Sequence, residues 1–89
     1  MVGNEIRIKV ASVWKAAVAL RKNGWKPEDK PRGAMFRWMK RKGDILATGI
    51  NRTTVLFELD YTDINSPEQE QIATVVMLNE ISKLKENFK

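Results

Sequence analysis

The chain has 89 residues, 43% of them apolar, which suits one small core and falls short of two domains, so residues 1–89 are read as a single basic domain. It has no cysteine and no histidine, which removes disulfides, thiolate ligands and the commonest general base and metal ligand; no cofactor or metal is expected. The net charge of +5 is uneven: residues 1–52 hold thirteen Lys/Arg against four Asp/Glu (+9), and residues 53–89 hold three against seven (−4).

In "NEIRIKV", Ile6, Ile8 and Val10 alternate with Arg7 and Lys9, a period of two that predicts a short strand with a cationic open face. Ser12 is placed to cap a helix running to Gly24, with Val13, Ala16, Ala17 and Leu20 as its buried stripe and "NG" as its stop. Lys15, Lys22 and Lys26 fall on the opposite side. "WKPEDKPRG" then reads as loop at least through Lys30, because the residue before each proline avoids helical angles.

"RWMKRKG", Arg37 to Gly43, sorts differently under the two periodicities. As a helix it gathers Met35, Trp38 and Met39 on one face and Arg37, Lys40 and Arg41 on the other. As a strand it mixes apolar and charged groups on both faces. The helix is predicted, with Lys40 to Lys42 in its last turn and Gly43 as a left-handed cap. The strand alternative, in which "KG" is a hairpin turn, gives a three-stranded meander with Phe36 and Trp38 as a stacking platform for single strands.

"DILAT" and "TTVLFELDY" read as antiparallel strands around a turn near Gly49 to Arg52, with Val55, Phe57, Leu59 and Tyr61 on one face of the second. "SPEQ" supplies a capping serine, a proline at the first helical position and a glutamine three residues after the serine. Residues 66–89 are therefore expected to form a C-terminal helix for packing or dimerisation. Its stripe of Met77, Ile81, Leu84 and Phe88 either packs on the sheet or pairs with the same helix of another subunit, as a homodimer. No stretch approaches the roughly eighteen apolar residues of a membrane span and no leader pattern is present, so the expectation is a soluble cytoplasmic protein without membrane contact.

The stretch "AMFRWMKRKGDILATGINRTTVLFEL" resembles the second half of a winged helix-turn-helix of the small excisionase and mercury-regulator type. The resemblance implies a winged-helix-like α+β fold of order β-α-α-β-β-α. It also implies DNA binding in transcription regulation or recombination, with Arg37, Lys40 and Arg41 on a recognition helix and Asn51 and Arg52 at the wing tip. The segment between the candidate helices is longer than the tight turn of that family.

Cations on a helix suit a major groove, so Arg37, Lys40, Arg41 and Lys42 are the first candidates for DNA contact, joined by Arg52, Asn51 and Arg7. If about five phosphates are neutralised, the log–log salt slope is near −4 to −5. Trp38 is expected in the core; Trp25 either pins its loop or faces a partner. Asp44 with Glu58 and Asp60 supplies carboxylates of the kind that hold Mg²⁺, and no enzyme activity is expected from them. Besides duplex DNA, the alternatives are a sheet module for single-stranded nucleic acid and a small inhibitor or adaptor that docks on an acidic protein.

Overall fold

The computed structural model describes residues 2–29 and 36–86. Over these, the chain runs β1 (Val2–Lys9), α1 (Val13–Lys22), β2 (Lys26–Pro27), β3 (Trp38–Lys42), β4 (Ile45–Asn51), β5 (Thr54–Asp60), a single 3-10 turn (Tyr61–Asp63) and α2 (Pro67–Lys85). The strands form one antiparallel sheet in the order β1-β5-β4-β3-β2. The fold is therefore α+β and ends in a long helix. No helix among the described residues is long and apolar enough to cross a membrane.

Both helices cover one face of the sheet. Val13, Ala16 and Leu20 of α1 and Ala73, Met77, Ile81 and Leu84 of α2 close over Ile45, Ala47, Val55, Phe57 and Leu59. Local chemistry sets the helix ends: the Ser12 hydroxyl accepts from Lys15 N, and the Ser66 hydroxyl accepts from Gln69 N with Pro67 at the first turn. Gly24, at φ +92°, turns the chain out of α1 and delivers Trp25 to the core. There the indole meets Phe57 edge-on at 5.8 Å and its Nε1 donates to the buried Glu80 carboxylate (3.3 Å).

The second helix of the predicted order is a strand. Trp38–Lys42 pairs along its whole length with β4, from Trp38 opposite Gly49 to Lys42 opposite Ile45, and Gly43 at φ +60° serves the β3–β4 hairpin turn. The observed order is β-α-β-β-β-β-α, so the basic helix that the winged helix-turn-helix resemblance implied is β3. Mixed faces, which argued against a strand, are accommodated by long-range partners. Trp38 packs against Gly49, where a Cβ would come within 2.7 Å of its ring, and its Nε1 donates to Val13 O (3.1 Å). Lys42, on the same side, donates to Asn23 O and to Glu80 (2.9 Å each). Arg41, on the other side, reaches Glu28 at one edge and, across β4, Asp60 on β5.

The edges of the sheet are irregular. β2 is two residues long and contains a proline, and β1 carries a bulge between Gly3 and Ile6 with Asn4 at φ +53°. The C-terminal stripe packs inward: Met77, Ile81 and Leu84 are 1%, 4% and 0% exposed. These three are closed to a second subunit, which corrects the dimer interface assigned to them. Phe88 of that stripe, and Met35 of the helical reading, lie outside the described residues.

Candidate nucleic-acid interface

Four backbone connections bring separate segments to one end of the sheet. Val10 N donates to Thr53 O (2.9 Å) and Val13 N to Arg52 O (2.8 Å), which ties the start of α1 to the β4–β5 turn. Lys9 stands opposite Thr54 in the β1–β5 register. Arg37 N donates to Gly49 O (2.8 Å), which sets the entry to β3 at the same end. Asn51 shapes the turn itself, its Oδ1 accepting from Thr53 N (3.0 Å).

Lys9, Lys15, Arg37 and Arg52 therefore share this end, all exposed and none in an ion pair among the described residues. Beside them on α1 stands Trp14, 56% exposed, with Val18 (46%) one turn on. The open ring of Trp14 offers a flat apolar face beside the cations. Segments 8–27, 36–43 and 45–57, which build this end and line α1, contain no aspartate or glutamate. These segments around Trp14 thus carry positive charge only, an arrangement that draws in a polyanion and offers a flat ring once it arrives.

The opposite end carries the acidic groups, and Arg41 and Lys42 there are occupied, while Arg21, Lys22 and Lys26 stay exposed. Arg41 Nε donates to Glu28 (2.8 Å) and its terminal nitrogen to Asp60 (2.8 Å), and these carboxylates raise its pKa further. Asp60 also accepts from the Thr62 hydroxyl (2.6 Å) and backbone N–H (3.0 Å); with Arg41, these bonds hold its pKa down at about 2. Burial pushes the Glu80 carboxyl up, but hydrogen bonds from Lys42 and Lys83 outweigh it and keep the group below its ordinary value. Glu58 is raised by burial and by Glu5 nearby.

The seven residues expected to touch DNA separate accordingly. Arg37 and Arg52 are brought together at the basic end, and Asn51 is between them in sequence as a turn former. Arg7 lies two residues below Lys9 with Glu5 at 3.4 Å, both mostly exposed. Lys40 sits half-buried at mid-strand. Arg41 and Lys42 are held by Glu28, Asp60 and Glu80, so their charge is spent within the fold. Trp14, Lys9 and Lys15 were missed as site residues. The available signal was that Trp14 falls about 100° off the Val13 and Leu20 stripe, which leaves a large ring with no place in the core. No family model, no curated protein and no solved structure matches this chain.

Proposed function

We propose that the protein binds single-stranded nucleic acid at its basic end, with a base stacked on Trp14 and phosphates met by Lys9, Lys15, Arg37 and Arg52. The observation that carries this reading is the exposed tryptophan placed among cations that form no ion pair among the described residues. Stacking on one ring is tolerant of base identity, and the flanking charges supply affinity without a sequence code. Duplex recognition by a winged helix would need a recognition helix where β3 runs, so support passes from the duplex to the single strand. No catalysis is part of the proposal.

The test is fluorescence anisotropy with labelled single-stranded and duplex DNA of equal length, together with intrinsic tryptophan fluorescence. Trp25 and Trp38 are buried, so quenching on binding reports Trp14. Trp14→Ala is expected to weaken single-strand binding by about tenfold, the loss of one base stack, and to remove the quench. Arg41→Ala should lower stability and leave affinity within about twofold, because its charge already has partners. Tighter duplex binding would overturn the single-strand assignment. No binding to either at low salt would turn the basic end toward an acidic protein surface.

A further inference from the structure

We infer that the protein is a two-fold homodimer in which α2 packs antiparallel against α2 of a second copy, through the helix face turned away from the sheet. With Met77, Ile81 and Leu84 directed into the core, this helix still exposes Ile72 (63%), Val75 (51%), Val76 (42%) and Leu78 (50%). Spacings of three and four place Ile72, Val75 and Val76 in one outward stripe, with Leu78 beside Val75. A surface helix has one apolar face; a second implies a second neighbour.

Charge selects a copy of the same helix as that neighbour, and selects its direction. The first turn of α2 carries Glu68 and Glu70 and the last carries Lys83 and Lys85. A parallel pair would set acid against acid and base against base. With a two-fold axis at Val75, the antiparallel pair brings Ile72 of each copy to Leu78 of the other and Glu68 toward Ser82 and Lys83, and it opposes the two helix dipoles. Lys83 is free to swing: its bond to Glu80 is 3.2 Å and its side chain is 58% exposed.

The size is adequate. Nineteen residues of helix are about 28 Å long, and pairing over most of that length reaches the order of 1,000 Å² expected of a specific interface. Beside the stripe runs a groove of about 330 Å³ lined by Gly43, Asp44, Ile45, Ile72, Ala73 and Val76, which offers the second copy's apolar side chains a recess. This groove adjoins the β3–β4 turn, at the end of the sheet opposite the Lys9 and Arg52 end. The dimer thus leaves both basic ends open, and its test is independent of nucleic acid.

The test is sedimentation velocity of the full chain over a concentration series, with variants whose fold is checked by thermal melting. The wild type is expected to dimerise. Val75→Glu should raise the dimer Kd by at least about 30-fold with an unchanged melting profile of the monomer, since this position is at the centre of the contact. The chain has no cysteine, so Val75→Cys should cross-link to itself under mild oxidation, and Glu68→Cys should not. A Glu68→Lys substitution should weaken association, and adding Lys83→Glu should restore it. A monomer at every concentration, or cross-linking through Glu68→Cys in preference to Val75→Cys, would overturn the antiparallel dimer.

Discussion

Arg37 and Arg41 stand four residues apart at β3, yet among the described residues only Arg41 forms ion pairs with carboxylates. The difference lies in the register: Arg41 is opposite Leu46 on β4 and reaches across that strand to Asp60 on β5, whereas Arg37 enters the sheet beside Gly49, where the neighbouring segments carry no acid. Asp60 is the pivot of the paired end, and its pKa of about 2 makes a pH prediction. Its folded value lies below its ordinary 3.8, so its contribution is complete above pH 4 and is lost as pH falls toward 2. Asp60→Asn should therefore cost about 1–2 kcal/mol in urea unfolding at pH 7, and the gap from wild type should close between pH 4 and pH 2. A gap of constant size down to pH 2 would mean that the carboxylate is not ionised in a special environment.

Among the elements, β3 holds its place through one glycine. Gly49 lets Trp38 lie across β4, and an added Cβ would sit 2.7 Å from both the Trp38 ring and the Val13 side chain. Gly49→Ala is expected to destabilise the fold by about 1–3 kcal/mol by forcing this packed layer apart, a fall of about 5–20 °C in Tm for a domain of this size. An unchanged Tm would show that the layer yields freely. The same element marks where sequence reading stopped. β1, β5 and both helix starts were legible because their signals are local: alternation in "EIRIKV" and "TVLFELD", a serine cap at Ser12, and Ser66 followed by Pro67. At β3 local periodicity favoured a helix, and what decided against it was remote. Trp38 needed Gly49, Lys42 needed Glu80, and Arg41 needed Asp60, eleven, 38 and nineteen residues away. The candidate site was half legible for the same reason: Arg37 and Arg52 were picked out by charge, while Lys9, Lys15 and Trp14 joined them only once backbone pairing brought three segments to one end.

As a whole the molecule is electrically polar, basic where β4 turns into β5 and acidic where β3 turns into β4 and α2 begins. The four cations at the basic end that are unpaired among the described residues correspond to a log–log salt slope of about −3 for single strands, shallower than a count of every cation in residues 37–52 suggests, because Arg41 and Lys42 have no charge to spare. The Arg37→Ala, Arg52→Ala double variant should reduce the slope by about 1.4, measured as Kd between 50 and 200 mM salt. A slope that does not change would move the phosphate contacts elsewhere on the surface. The sheet edges bear on assembly in a different way. Among the described residues, β2 is reduced to two residues around Pro27 and β1 is kinked at Asn4, leaving only the short run Ile6–Lys9 straight on that border. Edge-to-edge growth is thereby disfavoured, and the proposed face-to-face contact through α2 would be satisfied at two copies, so crowding would add pairs without lengthening them.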